Sequence, residues 1–174
     1  AKKYKELNQA ALSNLEIKPN DFDNLNALAV SYKLLGNIKK AEETFSLVLS
    51  LGCKNDYILS NAGNFYYDTG RIDYAKKCHE EAIKSNPNNI NSLNQLGLCF
   101  SNQGKDKEAI EFYKKSLNIN DKDVSTHVNI ANSYRNLGSH KEAAKYYEFS
   151  DDPLAKCQQL ECLYLLGDKD LFND

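Results

Sequence analysis

The sequence predicts an all-α protein that is built as a solenoid of antiparallel helix pairs. The prediction rests on three rows of residues, each of which repeats with a period of 34 residues. The glycine row is Gly36, Gly70, Gly104 and Gly138, the alanine row is Ala41, Ala75, Ala109 and Ala143, and the aromatic row is Tyr32, Tyr66, Phe100 and Tyr134. Self-similarity at a fixed period of roughly 20 to 50 residues is typical of repeat architectures in which each unit packs on its neighbours.

The first predicted element is a helix over residues 2–16, in which Leu7, Ala11 and Leu15 recur at the spacing of one helix face. Pro19 ends this helix, because its ring excludes a further helical turn. Four predicted repeats follow, at residues 22–55, 56–89, 90–123 and 124–150.

Each predicted repeat contains two helices joined by a tight turn. In the first repeat the helices are residues 22–35 and 38–51, and Gly36 between them supplies a backbone that is free to adopt positive φ. Small residues occupy the facing positions of the paired helices, so that the two axes approach closely. On the first helices these are Ala29, Gly63, Gly97 and Ala131, and on the second helices they are the alanine row.

This pattern resembles the tetratricopeptide repeat (TPR) family, whose signature combines a large residue, Leu-Gly or Leu-Ala, an aromatic residue, an alanine, a second aromatic residue and a closing proline. The third repeat carries the signature as Leu93, Leu96-Gly97, Phe100, Gly104, Ala109 and Tyr113, and the second ends in Pro87. His127 departs from the pattern, because the other repeats have leucine at that position. The resemblance covers nearly the whole chain. It implies a right-handed superhelix with the first helices on the concave side and the second helices on the convex side.

The last predicted element is a helix over residues 153–166, which Asp152 caps and Pro153 begins. Leu160 stands where the earlier repeats have glycine or alanine. This favours a terminal capping helix without a close partner. An alternative remains open, in which Leu171-Phe172 begins a second helix that the end of the chain cuts short. Because the chain also lacks methionine and begins in the middle of a repeat, we expect it to be part of a longer protein.

Composition excludes several classes of partner. The net charge is -2, without the basic excess that nucleic acid or an anionic membrane surface attracts. No apolar run approaches the roughly 18 residues that a transmembrane helix needs. The five cysteines are odd in number and contain no C-x-x-C pair, so we expect free thiols in a reducing, cytoplasmic compartment rather than disulfides or zinc ligands. They are Cys53, Cys78, Cys99, Cys157 and Cys162.

The sequence also lacks recognisable catalytic motifs. It contains no Gly-rich phosphate loop, no G-x-S-x-G elbow and no H-E-x-x-H, and its histidines have no partners at catalytic spacing. His79 and His127 fall in core rows, and His140 begins a second helix. We therefore predict a protein that is not an enzyme and that uses no cofactor or metal.

The predicted site lies on the first helices, where the residues outside the core rows are rich in amides and poor in charge. An amide offers both a donor and an acceptor, so a row of amides is suited to the backbone of an extended peptide. The candidate contact residues are Tyr57, Asn61, Asn64, Tyr67, Asn94, Gln95, Asn129, Asn132 and Arg135. The row is similar to the asparagine ladder in the TPR region of O-GlcNAc transferase, although Ala27 interrupts it. The alternative is that asparagine is simply the default polar residue of an Asn- and Lys-rich chain.

The sequence thus predicts a protein–protein interaction scaffold that binds a peptide or partner segment in a concave groove. Tyrosine would supply apolar contact area, the amides would hold the peptide backbone, and Arg135 would take an acidic side chain. Two alternatives remain open. In the first, the array is the targeting arm of a larger enzyme, such as a glycosyltransferase. In the second, it is a module that self-associates through its open ends.

Overall fold

The computed structural model describes residues 2–167, and over that range the chain forms ten α-helices and no β-strand. The helices are α1 (Lys2–Ile17), α2 (Phe22–Leu34), α3 (Ile38–Ser50), α4 (Asp56–Asp68), α5 (Ile72–Ser85), α6 (Ile90–Ser101), α7 (Asp106–Leu117), α8 (Val124–Asn136), α9 (His140–Tyr147) and α10 (Pro153–Leu165). Their order confirms the predicted all-α class. Leu171-Phe172, the start of the alternative last helix, lies outside the described residues.

The chain divides into two compact units between Pro87 and Asn88. In unit 1, α1 packs on α2, α2 pairs with α3, α4 pairs with α5, and the first helices α2 and α4 lie beside each other. In unit 2, consecutive helices pack together from α6 to α10, and the first helices α6 and α8 are neighbours. In both units the first helices therefore form a layer of their own.

The predicted small residues lie in the tightest part of the core. Ala29, Ala131 and the whole alanine row have no exposed surface. Gly63 lies against the ring of His79 on the partner helix, and a Cβ placed on it would stand 2.5 Å from Nε2. Gly97 lies equally close to the ring of Tyr113. The small residues thus make room for a buried ring on the second helix.

The turns between paired helices repeat the same hydrogen bond. Gly36 has φ of 78°, and the N–H of Asn37 donates to the carbonyl of Tyr32 at 2.8 Å. The residue after each glycine of the row makes the equivalent bond to the aromatic residue: Arg71 to Tyr66, Lys105 to Phe100 and Ser139 to Tyr134. This is the Schellman arrangement, which satisfies a carbonyl that the end of the helix leaves without a partner. The glycine row and the aromatic row therefore both belong to the Schellman motif that ends each first helix.

Several asparagines serve as helix caps. The side chains of Asn37, Asn55 and Asn89 each accept a hydrogen bond from a backbone N–H in the first turn of the helix that follows. Asp152 accepts from the N–H of Ala155 at 3.1 Å and caps α10, which begins at Pro153. These asparagines have a structural role that is separate from the predicted groove.

Candidate peptide-binding surface

The predicted contact residues of unit 1 lie on α4, which runs beside α2. Tyr57, Asn61, Asn64 and Tyr67 follow one another at three- and four-residue steps and share one face of the helix. Tyr57 is 65% exposed, and the other three side chains are half-buried. We call these four residues the unit-1 surface.

Contacts between neighbouring first helices already order this surface. Asn61 Nδ2 donates to Asn26 Oδ1 of α2 at 3.1 Å. An amide side chain has two donor hydrogens and an acceptor oxygen, so this bond uses only part of the capacity of Asn61. At the other end of the two helices, Lys33 Nζ lies 2.6 Å from Asp68 Oδ2. That ion pair neutralises both charges and leaves a surface of rings and amides.

The predicted contact residues of unit 2 lie on α6 and α8. Asn94 and Gln95 belong to α6, whereas Asn129, Asn132 and Arg135 follow one another along α8, and all five are half-buried. We call these five residues the unit-2 surface. These amides come from two first helices that lie beside each other.

Two of the unit-2 amides also hold the fold together. Asn94 Nδ2 donates to Asp123 Oδ2 at 3.2 Å, at the residue that precedes α8. Asn132 Oδ1 accepts from Tyr147 Oη at 2.5 Å. Burial raises the pKa of Tyr147 to about 12, so this phenol remains a donor throughout the physiological range. Asn132 therefore supports the packing of α8 on α9 and has less capacity for a ligand.

Arg135 was predicted to take an acidic side chain of a partner. In the structure Arg135 Nη1 lies 3.7 Å from Glu161 Oε2 of α10. The arginine side chain is 34% exposed and the glutamate side chain 60%, and an ion pair this open to solvent contributes little free energy. A carboxylate from a partner can therefore replace Glu161 at small cost.

Asn129 lines a shallow cavity of about 330 Å³ at the start of α8. Ser150 and Asp152, from the segment between α9 and α10, line the same cavity. These two residues lie outside the first helices, to which the sequence pattern confines the predicted contact residues. The apolar part of the cavity comes from Val124 and Val128.

Two acceptors of the unit-2 surface have no hydrogen bond within residues 2–167. These are Asn94 Oδ1 and Gln95 Oε1, and both atoms are screened from solvent. A buried acceptor without a donor raises the free energy of the folded state.

The described part of the chain contains no group of three or more His, Cys, Asp or Glu side chains that could hold a metal ion. None of its helices is both long and apolar enough to cross a bilayer. The surfaces on α4, α6 and α8 thus offer hydrogen bonds and ring contacts.

Sequence comparison identifies the class of protein that this fold and surface define. Tetratricopeptide repeat profiles match residues 22–51, 56–122 and 124–148. The chain therefore belongs to the tetratricopeptide repeat family, and the predicted helical solenoid is confirmed. No curated protein matches the sequence.

Solved structures share the fold at low sequence identity. The crystal structure of MamA superposes with a TM-score of 0.76 at 22% identity, over 88% of this chain and 87% of the other. The structure of Pseudomonas aeruginosa pilF gives 0.78 at 23% identity, over 97% and 85%. That of YrrB, described as a TPR protein with an unusual peptide-binding site, gives 0.74 at 18% identity, over 97% and 86%. At these identities the likeness shows the fold alone.

Proposed function

We propose that the protein is a non-catalytic scaffold in which the unit-1 surface and the unit-2 surface each bind an extended segment of a partner protein. The observation that carries the proposal is the set of half-buried amides on the first helices of each unit, on α4 in unit 1 and on α6 and α8 in unit 2. In unit 2, Asn94 Oδ1 and Gln95 Oε1 lack donors. Backbone amides of an extended segment present donors and acceptors at regular intervals, whatever its side chains. The peptide-binding site that YrrB is described as having supports this proposal for a chain of the same fold.

Each kind of side chain on the two surfaces has a separate role in the proposed complex. Tyr57 and Tyr67 supply rigid apolar area at a low cost in conformational entropy. Asn61, Asn64, Gln95 and Asn129 hold the backbone of the bound segment. Arg135 exchanges the exposed carboxylate of Glu161 for an acidic side chain of the partner.

A displayed library of random peptides tests this function. Peptides that bind the wild-type chain are measured against a variant that carries Asn61→Ala, Asn64→Ala and Asn129→Ala together. Three lost hydrogen bonds of about 1 kcal/mol each predict an affinity loss of roughly a hundredfold. Circular dichroism checks that the helices persist in the variant.

The matched control carries Lys39→Ala and Lys40→Ala, which remove exposed side chains of α3. This variant should bind the selected peptides as the wild type does. If the amide variant keeps its helicity and its affinity, the two surfaces are not the binding site.

A second candidate function, self-association, is favoured by the apolar outer side of α10. Leu154, Tyr164 and Leu165 are 67%, 60% and 57% exposed. Among the described helices, α10 packs on α9. Exposed apolar area concentrated on one helix is typical of a protein interface. We propose a second copy of the chain as its partner.

Sedimentation velocity over a range of concentrations tests self-association. We expect the mean mass of the wild type to rise with concentration, and the Leu154→Gln, Leu165→Gln double variant to remain monomeric. A wild-type mass that stays at the monomer value throughout would exclude this candidate.

A further inference from the structure

A second cavity in unit 2, of about 370 Å³, lies away from the residues of the unit-2 surface. It is bordered by the end of α7, by α8 and by the end of α9 with the turn that follows. Its lining residues are Leu117, His127, Lys145, Tyr146 and Phe149. Apolar and aromatic side chains with a few polar groups are the usual lining of a ligand site.

The cavity coincides with two departures from the repeat. The helix α9 has 8 residues, whereas the other second helices α3, α5 and α7 have 13, 14 and 12. Phe149 therefore lies in a turn beyond the helix, where it is 57% exposed. His127 occupies the position that is Leu25, Leu59 and Leu93 in the other repeats. The shortened helix and the polar replacement of leucine thus meet at one place.

The imidazole of His127 is 6% exposed and leaves one acceptor unused. His127 Nε2 lies 2.8 Å from the carbonyl oxygen of Asp121. Because a carbonyl only accepts, Nε2 carries the proton and Nδ1 is the acceptor of the neutral ring. This Nδ1 is buried and has no hydrogen bond to any described residue.

Aromatic rings surround the imidazole. The Phe149 ring stacks on it with centroids 3.8 Å apart and 8° between the planes, and the Tyr146 ring lies 5.8 Å away. Phe149 is the exposed member of this group and belongs to no helix, so it is the ring whose movement would let a ligand reach the imidazole. Lys145 adds an exposed ammonium group to the lining.

We propose that this cavity binds the side chain of a tyrosine residue from a partner protein. A phenol hydroxyl donates to His127 Nδ1 and accepts from Lys145 Nζ, while its ring packs against Phe149 and Tyr146. Tryptophan offers only a donor and leaves Lys145 unused, and phenylalanine offers neither group and leaves both polar partners unused. The unit already contains a bond of the required kind, from Lys114 Nζ to Tyr134 Oη at 3.0 Å.

N-acetyl-tyrosinamide and N-acetyl-phenylalaninamide test the proposal, because they differ only in the hydroxyl group. Both are titrated into the whole chain, and the amide resonances of Lys145, Tyr146 and Phe149 are followed by NMR. We expect the tyrosine probe to bind about fivefold more tightly, the effect of one hydrogen bond in a partly buried site. The His127→Leu variant should bind both probes equally, and leucine at this position matches the other three repeats.

Lys145→Ala is a second variant, at an exposed position that leaves the core unchanged. It should weaken the tyrosine probe about twofold and leave the phenylalanine probe unaffected. Equal binding of the two probes to the wild type, or no response at the cavity, would overturn the proposal. So would a preference for tyrosine that persists in His127→Leu. The Asn61, Asn64 and Asn129 triple variant should retain the preference, which separates this site from the amide surfaces.

Discussion

At the scale of single residues, Gly63 and Gly97 show why the paired helices need small residues. Each lies against a buried ring of the partner helix, His79 in one pair and Tyr113 in the other. A glycine inside a helix normally costs about 1 kcal/mol relative to alanine. Here the ring occupies the place of the missing methyl group, so packing offsets the weak helix propensity.

The Gly63→Ala variant should accordingly be destabilised, by about 1 to 3 kcal/mol, because the added methyl group overlaps the His79 ring and forces it to shift. Urea unfolding of the variant and the wild type measures the change. In a chain that also carries His79→Ala, the same substitution should instead stabilise, since the ring is gone and alanine favours the helix. Stabilisation by Gly63→Ala alone would contradict this account.

His79 also predicts a dependence of stability on pH. Burial lowers the pKa of His79 from its ordinary value of 6.5 to about 4. The unfolded chain therefore binds the proton first as the pH falls. This contribution to stability is intact above pH 6.5 and is lost progressively as the pH falls towards 4. Between pH 7.5 and pH 5 the loss is about 2 kcal/mol.

Urea unfolding at a series of pH values measures this loss. The His79→Phe variant carries the ring type that the first repeat has in Phe45, and it should lack the contribution of His79. The difference between variant and wild type isolates the histidine from carboxylates that titrate in the same range. Parallel curves for the two proteins between pH 7.5 and pH 5 would show that His79 does not carry the effect.

The sequence predicted the core residues well, because they keep the 34-residue period. The sequence could not show which asparagines cap helices, which support helix packing and which are available to a ligand. Asn37, Asn55 and Asn89 cap helices, while Asn132 holds Tyr147. The bond between Asn132 and Tyr147 joins residues 15 positions apart on two different helices. Such a contact depends on the packing of the helices and leaves no periodic signal in the sequence.

At the scale of elements, α10 depends on its N-terminal cap. Asp152 accepts from the N–H of Ala155, and Pro153 fixes the first turn. Because much of the apolar side of this helix is exposed, its ends contribute a large share of its stability. Asp151, the residue before the cap, is exposed and is the matched control position for a substitution of Asp152.

Asp152→Ala should destabilise α10 by about 1 kcal/mol, because the first turn loses its side-chain acceptor. Amide hydrogen exchange should quicken in α10 and remain unchanged in α2 to α5. Asp151→Ala should leave exchange in α10 as it is in the wild type. If both variants behave alike, the cap does not hold the helix.

The segment after the shortened helix α9 shows which features of an element the sequence does not predict. The predicted fourth repeat ends at residue 150, and its last three residues follow α9, which ends at Tyr147. The short repeat was evident from the spacing, but the stacking of Phe149 on His127 was not. That contact joins residues 22 positions apart, and it forms because the missing helical turn frees Phe149 to reach α8.

At the scale of the whole molecule, the reactivity of the cysteines shows how well the fold protects its interior from solvent. Cys53, Cys78, Cys99 and Cys162 are buried, Cys157 is exposed, and all five are free thiols. Burial raises the pKa of Cys78 to about 12, and it also raises the pKa of Cys53 and Cys162. The thiolate is the reactive form, so both access and ionisation protect the buried thiols.

We expect one thiol per chain to react rapidly with Ellman's reagent at pH 8 in the native protein, and five to react after unfolding in urea. The Cys157→Ser variant should show no rapid phase. Rapid reaction of two or more thiols in the native wild type would mean that a core helix opens readily. The kinetics of the slow phase then give the rate at which the interior opens.

The four turn glycines of the 34-residue row allow the cost of a left-handed backbone to be measured four times in one protein. Gly36, Gly70, Gly104 and Gly138 all have φ between 71° and 78°, and no atom lies within 4 Å of a Cβ placed on any of them. An alanine there meets no neighbour, so its cost is that of the left-handed backbone alone, about 1 kcal/mol. One chain thus holds four independent copies of the same substitution experiment. The spread of the four free-energy costs measures how far the cost of a left-handed backbone depends on the turn in which it is placed.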